Sequence, residues 1–173
     1  MMMTAEEEEK RYAELQALAL DFAREGETEE LTRMLAHGLP ANLADEKGQS
    51  LLMLASYHGH LETCRSLLAH GAEVDRRNER GQTPLGGVAF KGYAEIAELF
   101  LAHGADAEAD NGMGMTPLML AELFGRLDVA RVLRRHGASE KSRNRLGLSA
   151  RWIARLRKGW QRLLGGKRHV MLP

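Results

Sequence analysis

Glycine recurs in this sequence at a fixed step of 33 residues. There are three such ladders, and their members are Gly26, Gly59, Gly92 and Gly125, then Gly38, Gly71, Gly104 and Gly137, then Gly48, Gly81, Gly114 and Gly147. A period of this size indicates a tandem array, in which each repeat is one supersecondary unit that buries its apolar face against its neighbours. The chain is therefore expected to form a stack of repeats.

The middle of the array illustrates what one repeat should contain. Thr83 before Pro84 predicts a helix start, because the threonine hydroxyl caps free backbone N–H groups and proline suits the first helical position. The first helix should run to about Lys91 and end at Gly92, where glycine takes the left-handed conformation. A second helix should follow from about Tyr93 to Ala102, and a polar loop should come after it.

Two helices followed by an extended polar loop, repeated at this length, form the pattern of ankyrin repeats. The sequence resembles that family in four phrases, which are Gly81-Gln82-Thr83-Pro84-Leu85, Gly114-Met115-Thr116-Pro117-Leu118, Gly59-His60-Leu61-Glu62 and His103-Gly104-Ala105-Asp106. The resemblance implies an all-α solenoid of stacked helix-turn-helix units with projecting β-turn or hairpin loops. It also implies a protein that binds other proteins and is not an enzyme.

The repeat phase divides the chain into five segments. Residues 1–12 are an acidic extension of the first helix, and residues 13–44 form a degenerate N-terminal capping repeat. Residues 45–143 hold three full repeats, 144–164 a C-terminal half repeat or capping helix, and 165–173 a basic tail. End repeats are expected to deviate, since each presents one face to water.

The first helices depart from the family pattern at one position, and one of them departs further. Ankyrin repeats usually carry a histidine after Thr-Pro-Leu that ties adjacent repeats by hydrogen bonds, whereas this chain has Met53, Gly86, Met119 and Trp152 there. Each glycine of the pair Gly86-Gly87 costs a helix about 1 kcal/mol relative to alanine. The repeat 78–110 is therefore expected to be the softest of the array, a point of close approach or of flexing.

Composition indicates a soluble cytoplasmic protein. The 24 basic and 24 acidic residues balance, so the whole molecule has no bulk attraction for nucleic acid, although residues 1–30 carry ten acids and residues 141–173 carry ten bases and no acid. A single cysteine, Cys64, fits a reducing compartment. The acidic N-terminus is unlike a signal peptide, and no apolar run is long enough to span a bilayer. We expect a monomer without cofactor.

Neither the histidines nor the cysteine predicts a reactive site. His37, His70, His103 and His136 share the 33-residue step, but equivalent positions of stacked helices lie about 8 to 10 Å apart and do not converge on one metal ion. They are expected to end helices. Cys64 falls on the apolar side of its helix, where it should fill the core. No catalytic or metal-binding residue is predicted.

The resemblance implies a concave groove formed by loop tips and the exposed side of the first helices. The tip positions are Glu46, Lys47, Glu79, Arg80, Met113 and Met115. The first-helix positions are Tyr57, His58, Phe90, Lys91, Leu123 and Phe124. Early repeats offer charge and later ones apolar side chains, which are typical of partner sites. The alternative is that the C-terminal segment folds over this apolar cluster.

The C-terminal segment itself has two interpretations. Its apolar stripe is Trp152, Leu156, Trp160, Leu163 and Leu164, and its basic stripe is Arg151, Arg155, Lys158 and Arg162. In the first interpretation it caps the stack and packs both tryptophans on the preceding helices. In the second, residues 141–173 bind nucleic acid or an anionic membrane surface.

Overall fold

The computed structural model describes residues 4–163, which form nine helices and no strand. The helices are α1 (Ala5–Glu25), α2 (Thr28–Ala36), α3 (Leu51–Tyr57), α4 (Leu61–Ala69), α5 (Pro84–Lys91), α6 (Ala94–Ala102), α7 (Pro117–Leu123), α8 (Leu127–Arg135) and α9 (Ala150–Leu163). The basic tail predicted at 165–173 lies outside the described residues. None of these helices is long and apolar enough to cross a bilayer.

The helices are arranged in two layers. Helices α1, α3, α5, α7 and α9 contact one another in that order, and α2, α4, α6 and α8 form the second layer in the same way. Equivalent core residues follow the 33-residue step: Leu52, Leu85 and Leu118 are buried between the layers, as are Leu67, Phe100 and Leu133. The predicted all-α solenoid is confirmed. We refer to the odd-numbered helices as the inner helices and to the even-numbered ones as the outer helices.

All twelve ladder glycines adopt a left-handed backbone conformation, which glycine reaches without steric cost. Close approach adds a second reason at Gly59, because a Cβ there would lie 2.9 Å from Cζ of Tyr93 in the next repeat. The same holds one repeat on, where a Cβ at Gly92 would lie 2.8 Å from Cδ of Arg126. The ladder therefore fixes both the turn within each repeat and the contact with the next one.

The predicted helix starts are present. The hydroxyls of Ser50, Thr83 and Thr116 accept hydrogen bonds from the N–H groups of Met53, Gly86 and Met119 at 3.1, 3.2 and 3.3 Å. Helix α5 ends at Lys91 as predicted, and α6 begins at Ala94, one residue after the predicted start. At the N-terminus, Thr4 and Glu7 form a capping box, so residues 5–12 are continuous with the long helix α1.

The histidines of the 33-residue step lie at helix ends, as predicted. Each is the C-cap of an outer helix, and Nδ1 of His37 and of His70 lies 2.7 and 2.8 Å from the carbonyl oxygen four residues earlier. His136 instead places Nε2 2.8 Å from Oε1 of Glu98, and this contact lowers the pKa of Glu98. Contacts with backbone carbonyl oxygens or with a carboxylate therefore account for the positions of these imidazole rings.

Cys64 is a core residue. It is fully buried on α4, and Ala97 and Ala130 occupy the equivalent buried positions on α6 and α8. Burial raises the pKa of its thiol to about 12. A thiol held protonated in this way is a poor nucleophile, in agreement with the predicted packing role.

Helix α9 closes the described part of the stack. Its residues Ala150 and Ile153 are buried, and it contacts α7. The buried carboxylate of Glu122 on α7 binds both Arg134 on α8 and Arg157 on α9, with 3.3 Å between Oε2 and Nη2 of Arg157. One carboxylate thus joins three helices.

The last helix departs from the repeat pattern in two ways. Lys158 occupies the position at which the first ladder would place a glycine, and the helix continues for 14 residues instead of turning. The first interpretation of this segment packed both tryptophans on the preceding helices, and this is wrong. Trp152 and Trp160 are 52% and 64% exposed, because the helix buries its opposite face on α7.

Candidate partner-binding groove

Three aromatic rings form a row across the inner helices. Tyr57 and Phe90 are equivalent residues at the ends of α3 and α5, and their rings are nearly parallel with centroids 6.4 Å apart. The ring of Phe124, the C-cap of α7, meets Phe90 edge to face at 4.6 Å. Aromatic pairs at this separation attract each other beyond their area burial. We call Tyr57, Phe90 and Phe124 the aromatic row.

The aromatic row is open to solvent at both ends. Phe124 and its neighbour Leu123 are 44% and 50% exposed, and Tyr57 is 41% exposed, while Phe90 is half-buried between the two outer rings. Helix α9 leaves Leu123 and Phe124 uncovered. Within the described residues, the alternative that the C-terminal segment folds over this cluster is therefore wrong. A continuous apolar surface faces water across three repeats.

Basic side chains border one end of the row. Nζ of Lys91 lies 4.9 Å from the ring centroid of Tyr57, within reach of a cation–π contact. The ring of His58 stands edge to face on Tyr57 at 5.7 Å and stacks near His60 at 6.3 Å. Partial burial, together with the charges of His60, Lys91 and Arg24, holds the pKa of His58 below its ordinary value. Lys91 thus places a positive charge at this end of the row.

The first two loop tips present the predicted charged residues. Glu46, Lys47, Glu79 and Arg80 are all exposed. A side-chain oxygen at the base of each turn fixes the tip. Oδ1 of Asp45 accepts from the N–H groups two and four residues later at 2.9 Å, and Oδ1 of Asn78 does the same at 3.0 Å. These bonds hold short turns in one conformation.

The third tip is built differently. Here Asp110 and not Asn111 closes the turn, accepting from the N–H groups of Gly112 and Gly114 at 2.8 Å. Met113 is 57% exposed at the tip and has a positive φ of 56°, which is costly for a residue with a side chain. Met115, predicted to be an exposed tip residue, is partly buried against the core, and its sulfur accepts from Nδ2 of Asn144 at 3.3 Å. That prediction is wrong, because the side chain of Met115 packs against the core.

The shifted turn frees Asn111 to reach the preceding repeat. Its Oδ1 accepts from both the N–H and the hydroxyl of Thr83, at 2.8 and 3.0 Å. A Cβ at Gly86 would lie only 2.0 Å from that oxygen. Asn111 therefore occupies the space left by the missing side chain and ties the two repeats together, where the resemblance implied a histidine.

A cavity of about 470 Å³ opens in the centre of the groove. It lies over Gly86 and Gly87, and its walls include Tyr57, Phe90 and Leu120. Residues of the loop tips, among them Arg80, line the same cavity. The loop tips and the inner helices thus form one concave surface, as the resemblance implied.

Comparison with known proteins identifies the repeat. A family model described as ankyrin repeats in many copies matches residues 52–101, and one described as an ankyrin repeat matches residues 113–145. The chain belongs to the ankyrin-repeat family. An ankyrin repeat protein of Pseudomonas aeruginosa is 60% identical over 40 residues, and this match covers 23% of this chain and 23% of that protein.

Two features of the ankyrin groove were missed in the sequence. Arg24, on α1, lines the cavity and pairs with Asp21 and Asp45, and no pattern in the sequence marks it. The tie from Asn111 did have a signal. Gly112 is an additional glycine that the other tips lack, and it follows Asp110 by two residues, which favours a turn closed by the aspartate.

The glycine pair generates a testable contrast in stability. Gly87→Ala should raise the free energy of unfolding by about 1 kcal/mol, since alanine is the better helix former and the new Cβ meets only Cδ2 of Tyr57 at 3.6 Å. Gly86→Ala gains the same propensity but displaces Asn111 from Thr83, and should therefore be about 2 kcal/mol less stable than Gly87→Ala. Urea unfolding followed by circular dichroism measures both variants. Equal stability of the two variants would contradict the tie from Asn111.

Proposed function

We propose that this ankyrin-repeat chain binds another protein through its concave groove, with the aromatic row as the centre of the contact. Ankyrin repeats are generally protein–protein interaction modules and are typically not catalytic. The observation that carries the proposal is the half-exposed aromatic row, which stays open to solvent with every described helix in place. Exposed aromatic and methionine side chains in a rigid setting are characteristic of interface centres.

The parts of the groove would have different roles in binding. Phe124, Leu123 and Met113 supply exposed apolar surface whose burial favours association. The exposed charges of the loop tips, Glu46, Lys47, Glu79 and Arg80, would form a polar rim that selects partners and steers their approach. Because the inner helices are held by a packed core, little ordering entropy opposes the contact.

We propose that the protein acts in the cytoplasm as a monomer that recruits one partner. Its one cysteine, Cys64, is a free and buried thiol, which supports a reducing compartment. No cofactor enters the proposal.

Affinity capture with paired variants tests this function. The wild type should retain a protein from lysate of the native organism that a Phe90→Ala/Phe124→Ala double variant does not, because both rings of the aromatic row are removed. Phe124→Ala alone should weaken the purified complex by about 1 to 2 kcal/mol. Quantitative mass spectrometry of the captured proteins, followed by titration calorimetry of the purified pair, measures both effects.

Leu127→Ala is the matched control. Leu127 is 51% exposed but lies on the outer helix α8, so its truncation should leave capture unchanged. Met113→Ala adds a groove variant that touches no core residue. Retention of the same proteins by the double variant, with circular dichroism confirming that it is folded, would contradict the proposal.

A second candidate function is association with an anionic membrane surface through α9. The favouring observation is that Trp152, Leu156 and Trp160 are exposed beside the exposed basic residues Arg151, Arg155, Lys158 and Arg162. A helix with one apolar and one basic face lies in the interfacial plane of anionic bilayers. Nucleic acid, the other partner predicted for residues 141–173, is favoured less, because the exposed apolar stripe has no role in phosphate contacts.

Intrinsic fluorescence tests this candidate directly, since both tryptophans of the chain lie in α9. Phosphatidylcholine vesicles containing phosphatidylserine should shift the emission to shorter wavelength, and added salt should reverse the shift. Vesicles of phosphatidylcholine alone are the control. An emission spectrum that does not change with anionic vesicles would exclude this function.

A further inference from the structure

The central inner helix lacks two side chains that its neighbours possess. Gly86 and Gly87 stand where α3 has Met53 and Leu54, where α7 has Met119 and Leu120, and where α9 has Trp152 and Ile153. In α3, α7 and α9 these two positions carry large apolar side chains. In α5, in the middle of the groove, both positions lack a side chain.

The two glycines leave different spaces. The space at Gly86 is filled by the side chain of Asn111, whose Oδ1 would lie 2.0 Å from a Cβ there. The space at Gly87 is open, since an added Cβ would contact only Cδ2 of Tyr57 at 3.6 Å. The missing side chain at Gly87 therefore leaves part of the cavity open, whereas Asn111 fills the space beside it at Gly86.

The size and walls of this cavity suit an apolar side chain. Its volume of about 470 Å³ lies within the usual range of ligand pockets and is ample for one large side chain. Tyr57 and Phe90 form aromatic walls, and Met53, Leu54 and Leu120 contribute aliphatic surface. A segment of a partner protein that extends from the cavity past the ring of Phe90 would contact Phe124 next, because those two rings are in contact.

Two arginines, Arg24 and Arg80, line the rim of the cavity, and no aspartate or glutamate of the described residues does so. His58 also lines it, but its lowered pKa disfavours the charged imidazolium. Arg24 is paired with Asp21 and Asp45, whereas Arg80 makes no side-chain ion pair with any residue that the structure describes. Lys91 adds a further cation above Tyr57. Charge complementarity at such a rim favours an acidic partner.

We infer that the cavity at Gly87 receives one bulky apolar side chain from an acidic segment of the partner protein. This inference rests on the proposed function of the groove and names the chemistry of what the groove binds. The apolar side chain fills the space between the rings of Tyr57 and Phe90, and carboxylates beside it in the partner pair with Arg80 and Lys91.

Selection from a phage-displayed library of random peptides tests the inference. Peptides selected on the wild type should share one bulky apolar residue flanked by aspartate or glutamate. Gly87→Leu places in α5 the residue found at Leu54 and Leu120, and should weaken a selected peptide by about thirtyfold, because the new side chain occupies the cavity. The same variant should unfold at a higher temperature than the wild type, since leucine is a better helix former than glycine.

Two further variants keep the outcome clear if Gly87→Leu does not fold. Arg80→Glu changes only an exposed tip residue and should weaken the peptide by about tenfold. Replacing the shared apolar residue of the peptide by alanine should lower affinity for the wild type, a result that needs no measurement on Gly87→Leu. If Gly87→Leu is folded, the same replacement should leave its weak binding unchanged, since that variant has no cavity to fill. Fluorescence polarisation of the labelled peptide measures each case.

Three results would overturn the inference. They are a library that yields no binder, selected peptides that lack acidic residues or an apolar residue, and peptides that bind folded Gly87→Leu as tightly as the wild type. Phe124→Ala separates this inference from the groove function. Peptides that lose affinity for Phe124→Ala but not for Gly87→Leu would leave the groove as a binding surface and exclude the cavity as its acceptor site.

Discussion

A helix pair of this length buries its apolar face only against another pair, and the remaining architecture follows from that constraint. Left-handed glycines follow each of the first eight helices at the same phase, so successive repeats meet their neighbours in the same orientation. Residues 33 positions apart consequently become neighbours in space, as Tyr57 and Phe90 do in the groove. The aromatic row is thus a product of stacking, and the core that supports it, Leu85 and its equivalents, is buried by the same stacking.

The two central glycines of α5 show how a repeat acquires an individual feature. A repeat that followed its neighbours would place large apolar side chains at these positions and a simple turn at the third tip. Here the turn shifts to Asp110, Asn111 takes the space at Gly86, and the space at Gly87 stays open. The tie from Asn111 and the open space at Gly87 are therefore two consequences of one local change, the glycine pair in α5.

The sequence predicted the stack, the helix starts at Ser50 and Thr83, and the helix-end histidines, because each depends on residues within one repeat. It failed where the outcome depends on a neighbouring element. Met115 packs against the core and contacts Asn144 of the next repeat, and Trp152 stays exposed because no described repeat follows α9. The candidate site was predicted in outline by family resemblance, whereas its cavity required the spatial relation of Gly87, Tyr57 and Asn111.

Hydrogen exchange on the complex with its captured partner tests the central claim most directly, because it reports which face of the stack is covered. Binding through the groove should slow amide exchange in the inner helices α3, α5 and α7 and in the tips around Lys47 and Arg80. The outer helices α4, α6 and α8 should exchange as they do in the free protein. Protection confined to the outer helices or to α9, with the groove unchanged, would contradict the account.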